Sequence, residues 1–288
     1  DSRLLIGHHE GGFMLQGNSA IPFNKKPGNW NFVPLSNQTN KPLVAIGNYQ
    51  GISIFEKINT QLIPFSSVPS FEESSRYLVA DSFGNLWVSH PYHGIFRISL
   101  TDSIYNIKRY ANENGVPALL NNQVYLLNQE IVLATENGIY KYARNTDMFI
   151  PHPQFEKTIG RKGTRYINED SNGNYWFVQD KTVGVINAPD NTITYLPELA
   201  NKILSGFEFI LPLDEQNIFI SGEKGIFHVN YLKYKENIRP LKVEIRRLTV
   251  TNKNDSLIYG GFGKIGKPDS YSYKPSFGSN WKAIRINY

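Results

Sequence analysis

The sequence predicts an all-β chain, a β-propeller of six (or part of seven) four-stranded blades followed by a partial β-sandwich. Three observations carry this: a repeat of forty-odd residues, a high aromatic share, and frequent turn formers. Aromatics make up 13% of the 288 residues, with 17 Tyr and 17 Phe, and such side chains suit pleated, half-buried surfaces. The 23 Gly and 16 Pro imply many chain reversals.

The repeat comes first, because everything else is placed by it. A short apolar strand ends in small or polar residues, a loop follows, and Gly plus an apolar residue opens a second strand. The copies are Leu5-Ile6-Gly7 to Gly12-Phe13, Val44-Ala45-Ile46-Gly47 to Gly51-Ile52, and Leu86-Trp87-Val88-Ser89 to Gly94-Ile95-Phe96. The others are Ile131-Val132-Leu133-Ala134 to Gly138-Ile139-Tyr140, Tyr175-Trp176-Phe177-Val178 to Gly184-Val185-Ile186, and Ile218-Phe219-Ile220-Ser221 to Gly225-Ile226-Phe227. The marker glycines are spaced 39, 43, 44, 46 and 41 residues apart, the length of one propeller blade.

Each unit resolves into strands a to d, from the axis outward. In the third, strand a is Tyr77–Ala80, the hairpin is Asp81-Ser82-Phe83-Gly84-Asn85, and strand b opens at Leu86. The fifth repeats this with Tyr166-Ile167-Asn168 and Asp170-Ser171-Asn172-Gly173-Asn174. Asp accepts bonds from nearby amides and Gly supplies positive φ, so Asp81 and Asp170 read as turn formers rather than catalytic acids. Trp87 and Trp176 point into the packing between blades. Residues 1–15 supply strands b and c of a first blade without a strand a, which leaves an edge needing a partner.

Because strands alternate in direction, b–c and d–a loops share one face of the disc, and ligands are expected there. Its b–c loops offer His8, His9 and Glu10, then Asn48, Tyr49 and Gln50, then His90, Tyr92 and His93. Glu136 and Asn137, Asp180 and Lys181, and Glu223 and Lys224 complete the set. Tyr would stack on a sugar ring while the polar groups bond to hydroxyls. Loops are polar in any case, so these residues are ligand candidates and no more. Metal binding by the four loop histidines needs fixed ligand geometry, which a His-x-x-His containing Pro does not supply alone, so no metal site is assigned.

Several classes are excluded. Cysteine is absent, which removes disulfides, thiolate metal sites and cysteine nucleophiles. Net charge is +5 with basic residues scattered, so nucleic acid is a poor partner. No stretch approaches the ~18 apolar residues of a membrane span. The chain opens Asp1-Ser2-Arg3, which reads as an internal or processed piece. No nucleophile elbow, P-loop, dinucleotide glycine pattern or His-Glu-x-x-His is found, Gly260-Gly261-Phe262-Gly263 lacks the strand-then-helix context for phosphate, and no cofactor is expected.

The composite of strand a, Asp-Ser-x-Gly-Asn, aromatic-Trp-aliphatic, and Gly-Ile-aromatic resembles the regulator propeller repeats of periplasmic sensor regions. These belong to bacterial hybrid two-component and related transmembrane regulators. Asp81–Val88 with Gly94-Ile95-Phe96, and Asp170–Phe177, are the best copies. The tail is similar to the opening of the triple-tyrosine sandwich domain: Pro240–Val250 alternates apolar and polar residues, and Trp281–Tyr288 follows a Gly/Pro/Ser-rich stretch. The resemblance implies propeller repeats over 1–238 and the sandwich over 239–288. It implies a periplasmic, non-catalytic sensor of oligosaccharides that controls glycan-utilisation genes. A homodimer is implied too, with membrane attachment and any kinase or DNA-binding output carried by further segments. The alternatives are a non-catalytic scaffold for a protein partner and, from a third class, a glycan-degrading propeller.

Overall fold

The computed structural model describes residues 4–35, 41–101, 104–237, 246–260 and 281–288. The chain divides into two compact units, Asp1–Lys233 and Tyr234–Tyr288.

The first unit is a succession of six antiparallel sheets, each made from consecutive strands. The first holds β1 (Leu5–His8), β2 (Gly11–Gln16) and β3 (Ser19–Asn24). The second holds β4 (Phe32–Leu35), β5 (Leu43–Gly47), β6 (Ile52–Ile58) and β7 (Gln61–Ser67). The third holds β8 (Tyr77–Ala80), β9 (Leu86–His90), β10 (Gly94–Thr101) and β11 (Ile104–Tyr110). The fourth holds β12 (Gln123–Leu127), β13 (Glu130–Thr135), β14 (Gly138–Ala143) and β15 (Met148–Pro151), followed by helix α1 (Pro153–Ile159). The fifth holds β16 (Thr164–Glu169), β17 (Tyr175–Gln179), β18 (Thr182–Asn187) and β19 (Thr192–Leu196). The sixth holds β20 (Ile210–Asp214), β21 (Asn217–Gly222) and β22 (Gly225–Val229). First strands sit side by side around the axis, β4 against β8, β8 against β12 and β12 against β16.

This is the propeller the repeat predicts, and the first sheet lacks strand a among the described residues, as expected. The sixth departs from four strands: after β22 the chain forms helix α2 (Tyr231–Asn237). The Asn230 side chain accepts the Lys233 amide at 2.9 Å, and the Leu, Lys and Glu that follow are good helix formers.

Packing is between sheets. Val88, Phe96, Leu78 and Ile54 fill one interblade layer. Trp87, Tyr110, Leu133 and Phe149 fill the next, and Val132, Phe155, Ile167 and Phe177 the one after. Trp87 and Trp176 are fully buried, and removing a ring of that size from water contributes on the order of 5 kcal/mol. The two aspartate hairpins repeat atom for atom. Asp81 Oδ1 accepts the amides of Phe83 and Asn85, and Oδ2 accepts Asn85 Nδ2 and Trp87 Nε1 at 2.9 Å. Asp170 does the same for Asn172, Asn174 and Trp176. These carboxylates form turns, and they also satisfy the one polar atom of a buried tryptophan.

The marker glycines do not all play one part. His8 pairs with Gly11, His90 with Gly94, Thr135 with Gly138 and Gly222 with Gly225, so in the first sheet Gly11 rather than Gly12 opens strand c. In the fifth, strand c opens at Thr182 after a two-residue turn in which Asp180 and Lys181 have φ of 49° and 59°. Gly184 instead lies opposite Phe177, where an added Cβ would meet Phe177 Cζ at 2.3 Å. It is there because the phenylalanine ring needs its space.

The second unit contains one sheet in the order β24 (Asp255–Gly260), β23 (Arg247–Thr251), β25 (Ala283–Asn287). Part of the strand expected from Pro240, the Gly261–Gly263 loop and the Gly/Pro/Ser-rich stretch lie outside the described residues.

Candidate functional site on the crossover face

Four of the five crossovers from one sheet to the next are bonded through their backbones to neighbouring b–c loops, which fixes the face that carries the candidates. Gly28 and Asn29 donate to the carbonyls of His9 and His8, Trp30 to Gly47, and Tyr49 to Pro27. Gly51 donates to Glu73, Ser75 to Asn48, Asn121 to Pro91, Asn201 to Lys181, and Glu223 to Lys202. The loops are therefore held by backbone bonds, and their side chains are presented from a knitted rim.

At the axis, the first strands are stitched by side chains in sequence. Asn31 Nδ2 donates to the Leu78 carbonyl, Gln123 Nε2 to Tyr77 Oη, Tyr125 Oη to Gln123 Oε1 and the Arg165 carbonyl, and Tyr166 Oη to the Ile210 carbonyl. Burial raises the pKa of Tyr77 and Tyr125 and pushes that of Tyr166 up to about 12, so all three hydroxyls stay protonated, Tyr125 and Tyr166 as donors and Tyr77 as the acceptor from Gln123. Arg76 then reaches across the axis, donating to the carbonyl of Gly206. Its guanidinium lies 4.3 Å from the Phe207 ring and 5.3 Å from the rings of Trp30 and Tyr77. Around this collar three buried atoms lack a hydrogen-bond partner: Trp30 Nε1, Asn31 Oδ1 and Glu208 Oε2. Beside it opens a cavity of about 510 Å³ lined by Glu136, Gly163, Arg165, Asp180, Lys181, Ser205, Gly206 and Glu208.

The sequence candidates separate into groups. Glu136, Asp180 and Lys181 line the axial cavity, and Glu136 accepts Asn121 Nδ2 at 2.8 Å and pairs with Arg165 at 3.3 Å. Asn48, Tyr49 and Gln50 line a second cavity of about 700 Å³ with Lys26, Ser70 and Glu72. Here Tyr49 packs edge-on against His9 and Trp30, its hydroxyl 2.9 Å from His9 Nδ1, so a ring offered for sugar stacking is partly covered. Asn48 is buried; its Oδ1 accepts Ser53 Oγ while Nδ2 has no partner. His90 and His93 stack at 4.2 Å beside Glu73.

Some candidates have local explanations. His8, His90 and Thr135 stand at one repeat position, and each accepts the amide two residues on, at 3.2, 3.1 and 3.0 Å. This is a turn contact that any short polar acceptor can make. Glu10, Asn137, Glu223 and Lys224 are exposed, as is Tyr92. They line neither cavity described above. Sequence reading missed Trp30, Arg76, Tyr77, Tyr125, Arg165, Tyr166 and Glu208, which lie on crossovers and first strands rather than b–c loops. The signal was present as a tyrosine near the start of strand a in the third, fourth and fifth sheets.

No protein-family model and no curated protein matches the chain. Solved structures do. The chain shares its fold with the extracellular domain of the protein described as hybrid two component system BT3049 from B. thetaiotaomicron, with a TM-score of 0.63 and 16% identity. That match covers 89% of this chain and 37% of the other. The extracellular domain described as one component system BT4673, from the same organism, gives 0.55 at 17% identity, covering 86% and 35%. A second structure of the BT4673 extracellular domain gives 0.51 at 16%, covering 89% and 42%. The chain thus spans well under half the length of these structures, and at such identity the likeness establishes the fold.

Proposed function

We propose that this chain is a ligand-sensing part of the extracytoplasmic region of a signal-transduction regulator. Its ligand is an oligosaccharide seated at the mouth of the propeller axis. In the intact protein, occupancy controls glycan-utilisation genes through an output region, with the sensor in the periplasm and working as a homodimer. Residues 239–288 open the triple-tyrosine sandwich that relays the signal. The fold shared with extracellular domains of two-component and one-component systems supports this reading. The observation that carries it is the axial cavity of about 510 Å³, whose lining sets donors (Arg165, Lys181, Ser205) beside acceptors (Glu136, Asp180, Glu208). That mixture matches the donor-and-acceptor character of sugar hydroxyls.

Thermal-shift screening against an oligosaccharide panel, with product analysis of the same mixtures, tests the proposal. At a ligand concentration 100 times Kd, stabilisation of about 2.7 kcal/mol is expected, with no cleavage. Glu208→Gln keeps the side-chain shape, removes a carboxylate from the cavity lining and should weaken binding roughly tenfold. Cleavage products would refute the sensor reading in favour of a glycan-degrading enzyme. The scaffold alternative draws on one observation: Leu211, Leu213 and Ile226 of the sixth sheet are 40, 58 and 75% exposed. A panel that shifts nothing would favour that scaffold.

A further inference from the structure

We propose that Glu73, His90 and His93 form a binding site for a transition-series divalent cation, Zn²⁺ above all. The sequence offers His90 and His93 as a loop pair with no third ligand. The fold supplies it from the crossover between β7 and β8. Glu73 Oε2 lies 2.8 Å from His93 Nδ1 and 3.5 Å from His90 Nε2. One ligand atom from each residue falls within 4.8 Å of the other two. Ligands of a tetrahedral ion at ~2.1 Å are about 3.4 Å apart, so shifts of a few tenths of an ångström to about one ångström close the site.

Contacts independent of an ion hold the backbones of Glu73 and His93 and, in the metal-free state, the His90 ring. The Glu73 carbonyl accepts the Gly51 amide at 3.0 Å and Ser75 Oγ at 3.1 Å. Arg109 Nε donates to the His93 carbonyl at 2.7 Å. His90 Nδ1 accepts the amides of Tyr92 and His93, both at 3.1 Å. The side chains are graded in exposure, 13% for His90, 32% for Glu73 and 54% for His93, so the solvent side leaves coordination positions open. Two imidazoles and one carboxylate favour Zn²⁺, Ni²⁺ and Cu²⁺ over Ca²⁺ and Mg²⁺, which prefer all-oxygen sites.

The hydrogen bonds also set the chemistry of loading. Because Nδ1 of His90 is an acceptor, the neutral ring carries its proton on Nε2, aimed at Glu73. His93 points Nδ1 at the same oxygen. To ligate a cation through Nε2, His90 must move its proton to Nδ1 and give up its backbone amide bonds. Binding is therefore weaker than at a closed four-ligand site. Once bound, the ion ties the β7–β8 crossover to the loop between β9 and β10.

Titration calorimetry of tag-free protein with ZnCl₂ and with CaCl₂ tests the assignment. The expected result is one Zn²⁺ per chain, with no Ca²⁺ binding. Glu73→Gln, His93→Ala and His90→Thr should each weaken Zn²⁺ at least tenfold and abolish the zinc-induced rise in Tm. His90→Thr retains the turn, since Thr135 makes it at the same repeat position, so metal-free melting should be unchanged. Absence of saturable Zn²⁺ binding, or Zn²⁺ binding that survives all three substitutions, would overturn the proposal. Neither result depends on any saccharide, so it stands or falls separately from the sensor reading.

Discussion

Replacing Asp81 by Ala tests the physical meaning of the repeat motif. The Asp81 carboxylate accepts four bonds, two from hairpin amides, one from Asn85 Nδ2 and one from Trp87 Nε1. Trp87 is fully buried, so the substitution strands an indole N–H with no solvent to replace its partner. That alone costs about 1–3 kcal/mol, and losing the hairpin acceptor adds roughly 1 kcal/mol. A total near 3 kcal/mol corresponds to a fall in Tm of about 6–12 °C for a unit of this size. Asp81→Asn should do little better, because its amide group sets a donor against the Trp87 and Asn85 donors. Thermal unfolding followed by far-ultraviolet circular dichroism reads the loss. The Trp87→Phe background should shrink the cost of Asp81→Ala by about 1–2 kcal/mol, since the stranded donor is gone. A Tm change under 2 °C, or strict additivity of the two substitutions, would refute the account.

Two further outcomes concern packing and pH. Asp147 of the fourth sheet accepts bonds from Lys108, Tyr110 and Tyr142 and pairs with Arg97 at 3.1 Å, latching the third sheet to the fourth. Burial would raise its pKa, but those hydrogen bonds and the Arg97 charge outweigh it and hold the carboxyl well below its ordinary 3.8. Its stabilisation is thus complete at neutral pH and is lost as pH falls below 3.8. Asp147→Asn should cost about 1–2 kcal/mol in urea unfolding at pH 7, allowing for its exposure, with the gap from wild type closing in acid. A gap that persists at low pH would contradict the charge-based account. Gly184→Ala should cost about 1–3 kcal/mol by overpacking Phe177, and Phe177→Leu should recover part of that in the double variant. Equal losses with and without Phe177→Leu would place the strain elsewhere.

The legible part of the fold was local. The forty-odd-residue spacing, the alternation of apolar residues and the Asp-x-x-Gly-Asn hairpins each follow from contacts within a few positions. They located β8, β9 and β17 to within a residue. Gly184 was misread because a glycine demanded by a ring on the adjacent strand looks the same in sequence as one demanded by a turn. Strand d of the sixth repeat was assumed from the pattern, where Asn230 and the helix formers after it favour α2 instead.

The candidate site was less legible, for a reason rooted in geometry. Backbone periodicity names the residues at loop tips, and it yielded Glu136, Asp180, Lys181, His90 and His93. It says nothing of which crossovers meet at the axis. Arg76 reaches the Gly206 carbonyl 130 positions away, and Glu73 reaches two histidines on the next sheet. Those meetings exist because the sheets turn about a common line and bring their first strands and crossovers together. Residue order therefore sets what each blade is made of, while the turning of successive sheets about the axis sets which charges, rings and unpaired polar atoms face one another.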